Sequence, residues 1–174
     1  MLNKLIPDLF VPTIYKIDFN DLQRQGKKGI IVDLDNTLVE ATRPDATPEL
    51  VSWLDQLRGM GFRVIIVSNN SRTRVSHFAT PLRVPHIHNA KKPFRSSFHR
   101  AMRRLETGPE ETVMIGDQLL TDVLGGNRLG LYTILVSPIS ETEGFLSRIN
   151  RRIERIVVKR LERKGKWKKG ERDE

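Results

Sequence analysis

Five short apolar runs recur along the chain, each followed by a stretch of mixed polarity: GIIVDL (29–34), FRVIIVS (62–68), VPHIHN (84–89), TVMIG (112–116) and LYTILV (131–136). Near-continuous apolar runs of this length fit strands covered on both faces, as in a parallel sheet. The segments between them follow a helical period. Thr47 is placed to cap a helix and Pro48 suits its first position; Leu50, Leu54 and Leu57 form the buried stripe, and Gly59 and Gly61 end it. Phe94, Phe98, Ala101, Met102 and Leu105 repeat that spacing before the fourth run. Strand and helix in alternation predict a doubly wound α/β domain of five parallel strands with right-handed crossovers.

The two ends of the chain are patterned differently. Phe145, Ile149, Ile153, Ile156, Val157 and Leu161 fall on one face of a helix, while Arg148, Arg151, Arg152, Arg155, Lys159 and Arg163 cover most of the rest. This predicts a basic amphipathic C-terminal helix, fraying after Gly165, whose stripe either docks on the sheet domain or lies on a membrane. The expected division is therefore a domain over 1–140 and a basic helix and tail over 141–174. The opening MLNKLIPDLFVPTIYKIDF is apolar but broken by Pro7, Asp8 and Pro12, and reads as cover for the core. It lacks the unbroken apolar run of a signal peptide, and no stretch approaches the roughly 18 uncharged residues of a membrane span. The expected location is the cytoplasm, with peripheral contact at the inner face of the membrane.

Composition narrows the chemistry. In 174 residues there is no cysteine, which removes disulfides and thiolate metal sites. The net charge of +9 implies attraction to polyanions, whether nucleic acid, an anionic membrane or phosphate substrates. Aromatic residues make up only 6%, and no stacking platform for single-stranded nucleic acid is visible. His77, His86, His88 and His99 are scattered and read as core or surface residues, not as ligands.

The acidic residues are not scattered. Asp33 ends the first run and Asp35 follows two positions later, so both project toward one region. A buried carboxylate costs several kcal/mol unless it is paired or bound to a metal. The segment GDQLLTD places Asp117 and Asp122 just past the fourth run. Ligands of open α/β sheets bind beyond the carboxyl ends of the strands, so these acids converge on one crevice. Oxygen donors without cysteine or a histidine cluster favour Mg²⁺ over Zn²⁺. Ser68 and Asn69 end the second run, and Lys91 and Lys92 follow the third. A hydroxyl, backbone N–H groups and an ammonium around a metal suit a phosphoryl group, whose transfer depends on charge neutralisation.

Together DLDNT, VSNN, KKP and GDQLLTD, in that order and spacing, resemble the four motifs of the haloacid dehalogenase (HAD) phosphohydrolase superfamily over about residues 28 to 137. The match is nearest to subfamily IIIA and its YqeG family, to which the opening LIPDLFVPTIYKI adds, a branch similar to phosphatidylglycerophosphate phosphatases. The resemblance implies a five-stranded Rossmann-like sheet and a role for each residue. Asp33 would be the nucleophile of a phosphoaspartyl route. Asp35 would protonate the leaving alkoxide and then activate water. Asn36 would allow the left-handed turn and Thr37 would hold it. Ser68 and the Asn69 backbone N–H would bind phosphoryl oxygens. Lys92, directly before Pro93, matches the family lysine better than Lys91, which reads as a solvated charge. Asp117 would hold Mg²⁺ with Asp33 and the Asp35 carbonyl, and Asp122 would orient a metal-bound water or hold Lys92.

Residues 40–48 form a short loop, and Ser68 to Lys92 holds one helix and one short strand, so neither place for a cap domain is filled. A capless site is open, which favours a phosphate carried by something large: a lipid in a bilayer, a protein or a nucleic-acid end. The resemblance alone names phosphatidylglycerophosphate. A catalytically silent scaffold binding nucleic acid through its basic tail is the alternative.

Overall fold

The computed structural model describes residues 2–140, Arg152, 155–159 and 162–163. A single parallel sheet is built from β1 (Leu9–Val11), β2 (Gly29–Val32), β3 (Arg63–Val67), β4 (His86–Ile87), β5 (Thr112–Gly116) and β6 (Tyr132–Val136), in the order β1-β6-β5-β2-β3-β4. Five helices connect them: α1 (Phe19–Arg24), α2 (Pro48–Gly59), α3 (Arg72–Ala79), α4 (Arg95–Leu105) and α5 (Leu124–Leu129), the last preceded by a π-helical turn, Leu119–Val123.

The doubly wound expectation holds, and its physical basis is visible in β2. All four of its residues are buried. Ile30 and Val32 point into a core shared with Leu50, Leu54 and Leu57 of α2 and Phe78 of α3, whereas Ile31 points into a second core with Phe98, Ala101 and Met102 of α4. Alternate residues thus feed opposite layers, which explains the continuous apolar run. The helix signals before β3 also act as read. Thr47 Oγ1 accepts from the Leu50 N–H at 3.1 Å, Pro48 opens α2, and Gly61 takes φ +86° just beyond it.

Three expectations are corrected. The sheet has six strands, not five. The N-terminal segment read as core cover supplies β1, which pairs with β6 through Leu9↔Ile134, Phe10↔Leu135 and Val11↔Val136. Asp8 fastens it, accepting from the Thr133 N–H at 2.8 Å while its own N–H reaches the Thr133 carbonyl at 2.9 Å. Phe94 is not part of the buried stripe of α4: it stands at the N-cap, 68% exposed.

The C-terminal helix expected over 141–174 lies largely outside the described residues. Within them, 155–159 are helical. Val158 packs with Phe10, Leu119, Val123 and Leu135, while Ile156, placed on the apolar stripe by its spacing, is 59% exposed. Among the described residues, no helix is long and apolar enough to cross a membrane.

Candidate active site

The chain order reverses between β2 and β5: from β2 it winds outward to β3 and β4, then returns to β5 on the other side. At such a switch point the loops part and leave a crevice. Asp33 lies one residue past β2, Asp117 one past β5 and Ser68 one past β3. All three are buried, and the hydrogen bonds from Asp33 N to Ile115 O (2.9 Å) and from Ser68 N to Ile87 O (2.9 Å) extend the sheet to their positions.

Lys92 ties the crevice together. Its Nζ donates to Asp33 Oδ1 at 2.6 Å and to Asp122 Oδ1 at 2.7 Å, and its side chain is only 2% exposed. The other Asp122 oxygen accepts from the Gln118 N–H at 3.2 Å. Gly116 makes room for this arrangement, since a Cβ there would meet the Asp122 carboxylate at 2.2 Å. Thr37 Oγ1 reaches Asp33 Oδ2 and Asp117 Oδ1 at 3.4 and 3.3 Å. Asn36, at φ +64°, turns the chain so that its N–H donates to Val39 O at 2.7 Å. Asn69 places Lys92 by its side chain: its Oδ1 accepts from the Lys92 N–H at 2.7 Å and its Nδ2 donates to the Lys92 carbonyl at 3.2 Å. Ser68 Oγ accepts from the Asn70 N–H at 3.1 Å.

Asp33, Asp117 and Asp122 bring carboxylate oxygens within 4.8 Å of one another. Lys92 bonds Asp33 and Asp122, and an oxygen-preferring divalent cation fits the three-carboxylate donor set. All three carboxylates could hold it; Asp33 and Asp117 stand one residue past the neighbouring strands β2 and β5 with Thr37 Oγ1 between them, while Asp122 is tied to Lys92 and the Gln118 N–H. Burial pushes the Asp33 carboxyl up to about 7; Lys92 opposes the shift, and the neighbouring Asp122 and Asp35 add to it. Burial alone would lower Lys92, but the Asp122 and Asp33 carboxylates outweigh it and hold the ammonium above its ordinary value. Lys92 is thus held charged, while burial moves the Asp33 carboxyl toward neutral pH.

Asp35 does not join this cluster. It faces α3, where Arg74 Nη2 and Nε donate to its Oδ1 at 2.9 and 3.1 Å and Asn70 Nδ2 donates to its Oδ2 at 2.8 Å. Arg74 is held in turn by a bond to Pro44 O and by the Phe78 ring beneath its guanidinium. The sequence reading missed both Asn70 and Arg74. Asn70 was legible as the second asparagine of VSNN, whereas nothing marked Arg74 among the many arginines.

A family model described as haloacid dehalogenase-like hydrolase matches residues 8–130. The chain belongs to the haloacid dehalogenase-like hydrolases. A curated relative described as "Probable phosphatase YqeG", from Bacillus subtilis, is 51% identical to this HAD-like hydrolase over 95% of this chain and 96% of that protein. Phosphatidylglycerophosphate phosphatase 1 of Arabidopsis thaliana is 30% identical over 92% of this chain, but the match spans only 49% of the plant protein. A solved HAD-superfamily (subfamily III A) hydrolase from Legionella pneumophila shares the fold, with TM-score 0.52 and 19% identity over 71% of this chain and 73% of that one. This HAD-like hydrolase is a phosphatase acting on phosphoric monoesters.

Proposed function

We propose that this HAD phosphatase is Mg²⁺-dependent, works through a phosphoaspartyl intermediate on Asp33, and converts phosphatidylglycerophosphate to phosphatidylglycerol at a membrane surface. The observation that carries the substrate class is the open mouth of the site. Residues 40–47 form a short loop, only α3 and β4 lie between Ser68 and Lys92, and no cap covers Asp33 among the described residues. A lipid phosphate brings its own cover in the bilayer. The likeness to the plant phosphatidylglycerophosphate phosphatase supports the same reading.

The chemistry assigns each group a task. An Asp33 carboxylate oxygen attacks phosphorus, the bond from phosphorus to the substrate oxygen breaks, and that oxygen takes a proton from Asp35. Both Asp35 oxygens now accept from Arg74 and Asn70, so one of those bonds must open first. Water then attacks the phosphoaspartyl phosphorus, Asp35 takes its proton, Asp33 is released and inorganic phosphate departs. Lys92 holds Asp33 in line throughout, and Asp122 with Asn69 holds Lys92. Ser68 and the Asn69 N–H bind phosphoryl oxygens. Mg²⁺, held by Asp33, Asp117 and the Asp35 carbonyl, would supply neutralisation of the phosphoryl charge.

Phosphate release from a panel tests this reading: phosphatidylglycerophosphate in vesicles, phosphopeptides, 5′-phosphorylated oligonucleotides and small sugar phosphates, each with Mg²⁺ and with chelator. Turnover is expected to be highest on the lipid and absent with chelator. Preference for a peptide or nucleic-acid end would transfer the site to that substrate.

A further inference from the structure

β4 ends the strand order and pairs only with β3 among the described residues, and α3 and α4 flank it. Between them runs a groove of about 530 Å³ lined by Arg72, Arg83, Arg100, Arg104, His86 and His88, with the Ser76 and Thr80 hydroxyls. Among the described residues no acidic side chain lines it. All four arginines are exposed, and the side chains of Arg72, Arg83 and Arg100 have no acidic partner among the described residues. Two contacts shape its floor: Arg104 Nη1 donates to His86 O at 2.8 Å, and Ser76 Oγ lies 3.0 Å from His86 Nε2. Like charges gathered without counter-charges repel, so the groove is built at a cost that an anionic ligand would offset.

Phe94 adds an exposed apolar side chain at the start of α4, the helix that carries Arg100 and Arg104 of the groove. It lies in the chain between Lys92 of the active site and Arg100 of the groove and is the most exposed large hydrophobic side chain among the described residues. Lys91 and Arg95, both exposed, flank its turn. An exposed aromatic flanked in the chain by cations is the pattern of a side chain that enters a bilayer interface while its neighbours meet headgroup phosphates. Among the described residues the groove is lined by cations and hydroxyls and by no Phe, Tyr or Trp, which suits headgroup phosphates better than stacked bases.

We infer, resting on the lipid-substrate reading above, that the α3–β4–α4 edge together with Phe94 is the surface by which the phosphatase sits on an anionic bilayer. The arginines take lipid phosphates and Phe94 enters the interface. Because Phe94 follows Lys92 by two residues, this seating brings the open mouth of the site to the headgroup layer. The basic tail would not be needed for it: Val158 packs by Phe10 and Leu135 of β1 and β6, at the opposite end of the sheet from β4.

The test is cosedimentation of the full chain with phosphatidylcholine vesicles, with and without phosphatidylglycerol, and with no phosphatidylglycerophosphate present. Binding is thereby read without turnover and stands or falls apart from the substrate panel. The wild type should bind only the anionic vesicles, and less as salt rises. R72A/R100A should weaken binding roughly 25-fold, about fivefold for each surface-proximal arginine. F94S should weaken it about tenfold, the order expected for withholding a Phe from an apolar phase. Both variants should turn over a soluble aryl phosphate as the wild type does, which also reports intact folding. Unchanged vesicle binding in both variants would overturn the inference. So would a wild type that ignores vesicles but shifts RNA mobility through these same residues, since the groove would then serve nucleic acid.

Discussion

Asp33 combines burial, a lysine at 2.6 Å and acidic neighbours, and two predictions follow from that combination. Asp33→Asn keeps the shape and removes the nucleophile, so turnover of an aryl phosphate should fall by about a thousandfold or more while the fold persists. Substantial residual activity would defeat the phosphoaspartyl route. The second prediction concerns pH without metal. The carboxyl stands at about 7 in the folded chain against 3.8 ordinarily, so the folded state keeps a proton that the unfolded chain releases. Its contribution is complete below about pH 4, is lost as pH rises toward 7, and is constant beyond, a change of about 4 kcal/mol at most. In chelator, the stability of Asp33→Asn relative to wild type should therefore rise across that window, as read by denaturant titration; parallel pH curves would refute it. The residues of this cluster were legible because each stands at or shortly after a strand end within a short motif. The clamp on Asp35 was not: Arg74 meets it across 39 positions, from a helix whose apolar spacing carries no sign of the contact.

Secondary elements show the same boundary between local and distant information. The cap of α2 was readable because Thr47, Pro48 and the leucine spacing are neighbours in sequence. β1 was hidden because it has only three residues, bounded by Pro7 and Pro12, and becomes a strand only by pairing with β6 more than a hundred positions away. Phe94 shared the spacing of the α4 stripe yet precedes the helix, so the periodicity ran one residue beyond the structure it described. If distant pairing makes β1, its anchor should matter. Asp8 serves the Thr133 N–H and hydroxyl, and Thr133 is fully buried. Asp8→Ala should cost about 1–3 kcal/mol, the usual consequence of leaving a buried donor unsatisfied. Chemical denaturation measures this, and a loss below half a kcal/mol would mean that the edge is held by packing alone.

For the molecule as a whole, the two ends of the sheet carry different tasks. The β4 end exposes the arginines of the groove, while the β1–β6 end carries an apolar patch of Phe10, Leu119, Val123 and Leu135 that Val158 helps to cover. Leu119 follows Asp117 by two residues, so this patch supports the turn that presents the fourth motif, GDQLLTD. A chain ending at Ser140 loses Val158 and bares the patch. It should lose about 1.5 kcal/mol or more of stability, the worth of burying one such side chain. Its turnover of aryl phosphate and of lipid in vesicles should fall in the same proportion, because the defect lies in the motif and not in the bilayer contact. Whatever vesicle binding the shortened chain retains should still depend on Phe94, Arg72 and Arg100. The deciding measurement is the ratio of the two activities. If truncation spared the soluble substrate and abolished only the lipid reaction, the basic tail would be the membrane element, and the β4 edge would need another partner.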